Sequence, residues 1–131
     1  NVAARIAAGE DCLIRTASEP EDIGRVHDWA KQCGASVAEA GLRLSEAMAG
    51  LARAIIERAM PCGLIVAGGE TAGAVCRGLN LGALQVGRNI EPGVPLCYSL
   101  GEFQLPVVLK SGNFGSQDFY GRATGAIRRG A

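Results

Sequence analysis

Histidine, lysine and aromatic residues are all scarce in this chain, and each scarcity closes off a class of chemistry. His27 is the single histidine among 131 residues, which argues against histidine-dependent triads and multi-histidine metal sites; beside Asp28 and Trp29 it reads as a surface or partly packed residue. Aromatics make up 5% of the chain and the formal net charge is zero. A nucleic-acid surface needs a basic patch and usually stacking rings, so no nucleic-acid partner is expected. Lysine stands only at Lys31 and Lys110, which singles out Lys110. Cys12, Cys33, Cys62, Cys76 and Cys97 are odd in number and spread out, with no Cys-x-x-Cys pair. Neither a zinc site nor a disulfide scaffold follows; reduced, mostly buried thiols in a cytoplasmic protein are expected. No apolar run approaches a membrane span, and no signal peptide is visible. The chain opens at Asn1 without Met, on Val2–Ala8, which looks like the end of a helix; this reads as a fragment of something longer.

With 48% apolar and 20% charged residues, residues 1–131 should fold as a single domain. The stretch that organises it is Gly63–Gly73. Leu64-Ile65-Val66-Ala67 is a short apolar run, as expected of a strand buried on both faces. Gly68-Gly69 then allows a sharp turn, and Glu70 and Thr71 open a small-residue helix, Ala72-Gly73-Ala74-Val75. A strand, a glycine turn and a helix start present free N–H groups and a positive dipole end to an anion, naturally a phosphate. The pattern is neither a P-loop nor the dinucleotide fingerprint. By itself it also fits a tight strand-to-helix turn with no ligand.

Asp11–Thr16 reads as a first strand, and residues 21–33 as a short helix after Pro20. Ser36 is a suitable N-cap for a long helix over 36–60, ended by Pro61. Val37, Leu44, Met48, Leu51 and Ile55 recur at helical spacing and should pack on the sheet, with Glu39 and Arg43 paired on the other side. The length of this helix also permits a homodimer contact. The helix after the glycine turn runs to about Leu79, and Asn80-Leu81-Gly82 suits a left-handed C-cap. Ala83–Ile90 reads as a strand and Pro92-Gly93 as a type II turn. Leu96–Leu100 and Phe103–Leu105 flank Gly101-Glu102 as a hairpin. The expected fold is α/β, with layered helices on a mostly parallel, mixed sheet containing one antiparallel hairpin.

Pro106-Val107-Val108-Leu109 is a second buried strand, followed by Lys110-Ser111-Gly112-Asn113-Phe114-Gly115. Ser116 is the expected N-cap of a last helix, whose end at Arg128-Arg129 should be solvated. Two glycine turns leaving parallel strands would share one rim of the sheet, where open α/β sheets bind ligands. Gly68 and Gly69 could flank a polyphosphate with Gly112 opposite. Lys110 would supply a point charge, and Thr71, Ser111 and Asn113 hydrogen bonds. Glu70 suits a ribose hydroxyl, a magnesium-bound water or a helix N-terminal carboxylate.

Three motifs, Gly68-Gly69-Glu70-Thr71-x-Gly73, Ile90-Glu91-Pro92-Gly93-Val94-Pro95 and Leu109-Lys110-Ser111-Gly112-Asn113-Phe114-Gly115-x-x-Asp118-Phe119, together resemble the C-terminal nucleotide-binding domain of the four-carbon acid sugar kinase family. Some members carry an older label as Hrp-dependent outer proteins or type III effectors. The resemblance implies ATP with Mg2+ as cofactors and tetronate-type acids such as threonate, erythronate or their 3-oxo forms as acceptors. It further implies Gly68, Gly69, Glu70 and Thr71 on one wall of the nucleotide site, the Ser111-Gly112 turn on the other, and Pro92-Gly93 shaping a neighbouring loop. The acid would be held by an N-terminal domain that this chain lacks, so no catalytic residue is assigned here and the fragment alone should be inactive. The competing readings are a nucleotide-sensing module and an effector-type interaction module, both without catalysis.

Overall fold

Five helices and four strands follow one another in the computed structural model, which describes residues 1–16, 19–112 and 115–130. They are α1 (Val2–Ala7), α2 (Pro20–Gln32), α3 (Val37–Ile56), β1 (Leu64–Ala67), α4 (Gly69–Gly78), β2 (Leu84–Glu91), β3 (Val94–Ser99), β4 (Pro106–Lys110) and α5 (Phe119–Gly130). The sheet order is β1-β4-β3-β2. The α/β class and the mixed sheet are as expected, but parallel pairing is confined to β1 with β4; β4 with β3 and β3 with β2 are antiparallel. The balance follows from connection length. Among the paired strands only β1 and β4 are separated by enough chain for a crossover, whereas Pro92-Gly93 and residues 100–105 permit only antiparallel returns.

Side chains alternate across the sheet and divide the core in two. Val66 of β1 and Val107 of β4 face Ala74, Val75, Leu79 and Leu81 around α4. Val108 of β4 and Leu96 of β3 face Phe119, Ala123 and Ile127 of α5 on the other side. The sheet is thus sandwiched between α4 and α5, each burying its apolar stripe.

Helix α3 forms a further layer over α4, and here the expected face is corrected. Its buried residues are Ala40, Ser45, Ala49 and Ile56, while Val37, Leu44 and Leu51 are 53%, 40% and 45% exposed. The reason is close approach: a Cβ on Gly78 would stand 2.9 Å from the Ala49 Cβ. Two small residues let the helix backbones meet, and that contact sets the rotation of α3 rather than its large side chains. Arg53 ties the pair together, donating to the Gly78 carbonyl at 3.1 Å and pairing with Glu57 and Glu102. The helix also stops at Ile56, four residues short of the expected end. Its start is as read, with Ser36 Oγ accepting from the Glu39 N–H at 3.2 Å and Glu39 accepting from the Ser36 N–H at 2.7 Å. Glu39 is held chiefly by Ser36, with the Arg43 charge a smaller contribution.

Four other expectations change. Residues 11–16 form no strand; Leu13 is 77% exposed, and no described strand pairs with this segment. Unpaired backbone gains nothing from extension. The return strand after β3 starts at Pro106, not Phe103. Residues 103 and 105 are instead buried anchors of the connecting loop, with Ser99 N–H bonded to the Leu105 carbonyl. Of the cysteines, Cys97 alone is buried, and Cys33 and Cys62 are exposed, though all five are free. The last helix starts at Phe119 rather than beside Ser116. Asn80, at φ +48°, takes the left-handed geometry its position predicts. Arg128 at the end of α5 is exposed and pairs with Asp11. Among the described residues no helix is long and apolar enough to cross a membrane.

Candidate functional site

The two glycine turns start from the same rung of the sheet. Parallel pairing sets Ala67 opposite Lys110, and the next amide, that of Gly68, donates to the Lys110 carbonyl at 2.9 Å. Gly112 lies beside Gly68, close enough that a Cβ on it would stand 3.9 Å from the Gly68 Cα. The separation of 40-odd residues in sequence is therefore erased at the carboxyl ends of β1 and β4, as the two-turn argument requires.

The first turn is an open helix start. Gly68 sits at φ +107° as the N-cap of α4, and no side chain caps this end. The amides of Gly69, Glu70 and Thr71 precede any intrahelical acceptor, so they stand as donors at the positive end of the helix. A Cβ at Gly69 would meet nothing within 4 Å, so the turn is open at that residue. Glu70 is exposed in the first turn, and its carboxylate reaches toward Gly41 of α3. Thr71 is half-buried, with Oγ1 turned toward Gly68.

The second turn is organised from beneath. Lys110 is 8% exposed, and its ammonium donates to the carbonyls of Ser111 at 2.9 Å and Gly112 at 3.0 Å, 5.5 Å above the Phe119 ring. The expectation of Lys110 as a direct phosphate contact is therefore modified: its ammonium here holds the turn together. Because a trans peptide sets C=O and N–H antiparallel, holding the Ser111 carbonyl toward Lys110 turns the Gly112 amide away from it. Ser111 and Gly112 are exposed on the turn. Asn113, the remaining residue expected at the site, lies outside the described residues.

Glu91 is the residue that sequence reasoning missed. At the end of β2 and 8% exposed, it accepts from the Ser116 amide and from the Ser116 hydroxyl, and pairs with Arg122 at 2.9 Å. Arg122 also donates to the Ile90 carbonyl at 2.8 Å. The Ser116 hydroxyl is thus taken by Glu91, which is why it does not cap α5; the Asp118 carbonyl accepts the Arg122 amide instead. The neighbouring Ser116 side chain also holds the Asp118 carboxyl below its usual range. Gly115, at φ +109°, is wedged into this assembly: a Cβ there would come within 2.8 Å of Lys110 Cε and 3.5 Å of Glu91. A glutamate before Pro-Gly reads as an exposed turn residue, and the one available hint was its place inside the second motif. Among the described residues no three or more His, Cys, Asp and Glu side chains gather as a metal site.

An α/β domain whose two glycine turns meet at the carboxyl ends of parallel strands has the open-sheet geometry in which ligands bind at that rim. Residues 1–120 match the nucleotide-binding C-terminal domain family. A 3-oxo-tetronate kinase of Pseudomonas fluorescens is 40% identical over 118 residues, which cover 90% of this chain and 26% of that protein. A crystal structure of a Haemophilus influenzae protein superposes with a TM-score of 0.71 at 27% identity, covering 96% of this chain and 30% of the other. A Bordetella bronchiseptica structure, described as a domain-swapped dimer with bound citrate, gives a TM-score of 0.58 at 36% identity over 66% of this chain and 22% of its own. The chain belongs to the nucleotide-binding C-terminal domain family, the C-terminal domain of the four-carbon acid sugar kinases. It spans about a quarter of the length of the 3-oxo-tetronate kinase.

Proposed function

We propose that this chain is the ATP-binding part of a kinase that phosphorylates four-carbon sugar acids, with 3-oxo-tetronate, threonate and erythronate as the acceptor class. The observation that carries the reading is the uncapped start of α4 lying beside Gly112 on one rung of the sheet. The nucleotide phosphates would lie across the amides of Gly69, Glu70 and Thr71, with the Ser111-Gly112 turn closing the other side. Glu70 is free to meet a ribose hydroxyl or a magnesium-bound water. Mg2+ would arrive with the phosphates, keeping several of its waters and taking few ligands from the protein; the exposed carboxylates of Glu70 and Asp118 at the two turns are compatible with water-mediated contact.

Phosphoryl transfer is mainly a matter of positioning and charge neutralisation, and the acceptor must be held in line with the γ-phosphate. The acceptor pocket would come from an N-terminal domain, so this chain by itself would bind nucleotide without transferring phosphate. The domain-swapped relative is compatible with a homodimer.

The test is titration of magnesium-ATP and magnesium-ADP into the chain, read by amide chemical shifts at residues 68–71 and 111–112. Saturable shifts that vanish in Gly69→Val and Gly112→Val are expected. Absence of binding at millimolar nucleotide, in both this chain and a full-length protein containing it, overturns the reading.

A further inference from the structure

Three arginines line a cleft at the far edge of the sheet from β1. The cleft, about 280 Å³, is lined by Arg88, Asn89 and Ile90 of β2 and by Arg122, Ala126 and Arg129 of α5. The last three fall at i, i+4 and i+7, on one face of the helix. Among the described residues no acidic one lines the cleft. Among the described residues Glu91 pairs with Arg122 and with neither of the other two arginines, and the Arg122 charge also acts on the exposed Asp118 carboxylate.

The three cations differ in how fully they are used. Arg122 is committed to Glu91 and the Ile90 carbonyl. Arg88 reaches the Ala126 carbonyl at 3.4 Å, a long bond that leaves most of its donors free. Arg129 folds back over Gly125 of its own helix, and among the described residues it has neither an ion pair nor a hydrogen bond. Like charges brought together from residues 88, 122 and 129 repel, and in a chain of zero net charge nothing in the overall balance demands such a gathering. The carboxyl end of α5 is nearby and opposes an anion, but its partial charge is only about half a unit. The charges of Arg88 and Arg129, which no carboxylate offsets among the described residues, outweigh it, and Arg88 already engages one of its carbonyls.

From this arrangement we infer a second anion site, taking a phosphate group between Arg88 and Arg129 with Arg122 at its side. Forked guanidinium donors match the oxygens of a phosphate better than a lysine would. Ile90 and Ala126 add apolar wall, enough to admit a phosphomonoester rather than the bare ion. The site goes beyond the nucleotide reading and does not depend on it, because it lies at the β2 edge, with β3 between it and the glycine turns. It is coupled to them through one residue. Arg122 is shared with Glu91, which holds Ser116 at the exit of the second turn, so a phosphate drawing on Arg122 should perturb Ser116.

The experiment is a titration of the isotope-labelled chain with sodium phosphate, compared with sodium chloride at matched ionic strength. Saturable amide and arginine side-chain shifts at residues 88–90 and 122–129, with a smaller response at Ser116, are expected in the low millimolar range. Arg88→Gln with Arg129→Gln should weaken binding at least tenfold while leaving the rest of the spectrum in place. Shifts that follow chloride equally, that survive the double variant, or that appear only at 68–71 and 111–112 overturn the site. Acetate binding as tightly as phosphate overturns the assignment of a phosphate group. Glycerol phosphate distinguishes the sources: tighter binding than inorganic phosphate identifies a phosphomonoester, equal binding the free ion. The magnesium-ATP titration is scored separately at residues 68–71, so loss of either site is visible without the other.

Discussion

The Gly68 amide donates to the carbonyl of Lys110 across 2.9 Å, making the last rung between β1 and β4 also the first atom pair of the two glycine turns. Everything at the candidate site is measured from that bond. It aligns one turn that offers open amides with another whose carbonyls are drawn down onto a buried ammonium.

Gly69 separates ligand binding from folding. A Cβ there meets no atom within 4 Å and the backbone is helical. Gly69→Ala should therefore alter stability by less than about 0.5 kcal/mol, while intruding on the space over the α4 amides. Urea unfolding and nucleotide titration of the same variant should give an unchanged midpoint and weakened binding.

Lys110 should matter to folding as well as to binding. Lys110→Met keeps the apolar stem over Phe119 but leaves the Ser111 and Gly112 carbonyls without their donor. A loss of about 2 kcal/mol is expected for charged hydrogen bonds in this setting. A lysine that merely waited in solvent for phosphate would leave the urea midpoint unmoved.

Glu91→Ala should loosen the second turn from outside it. The substitution strips Ser116 and Arg122 of a shared acceptor. Because Arg122 is half-exposed and can be rehydrated, the cost should be about 1–3 kcal/mol, below that of breaking a fully buried pair. Amide exchange at Ser116 should accelerate more than at Val66, and a uniform change would count against the coupling.

Gly115→Ala should destabilise by about 1–3 kcal/mol, since φ +109° is strained for any side chain and the new methyl would press on Lys110. Comparing its melting temperature with that of Gly121→Ala, where a Cβ meets nothing within 4 Å, isolates the effect.

Acid should undo the start of α3. The Ser36 amide and hydroxyl hold the Glu39 carboxyl below its ordinary value of 4.5. A depressed carboxylate stabilises the fold fully above its unfolded pKa and loses that contribution as pH falls through the folded one. The Ser36 amide resonance should therefore shift in a titration whose midpoint lies below 4.5; a midpoint above that value contradicts the capping box.

Local signals carried far. The apolar run of β1, the glycine turn after it, the Ser36 cap and the Asn80 terminus are each decided within a few residues, because strand burial, helix capping and left-handed backbone are near-neighbour physics. The same holds for β4 and its turn. That the two turns face one another needed only parallel strands, which a crossover of this length supplies.

Tertiary packing decided the rest. The large apolar residues of α3 advertise one face, yet the close meeting of Ala49 with Gly78 buries another, because small residues win where backbones can touch. Residues 11–16 have strand-like composition but, among the described residues, no strand to pair with. Lys110 reads as an outward charge until burial turns its ammonium onto two carbonyls. Glu91 reads as a turn residue until the fold brings Ser116 and Arg122 against it from 25 and 31 positions away. Residue order thus determined the elements and the two turns. Which faces are buried, and which charges meet, depended on contacts between segments that no local pattern encodes.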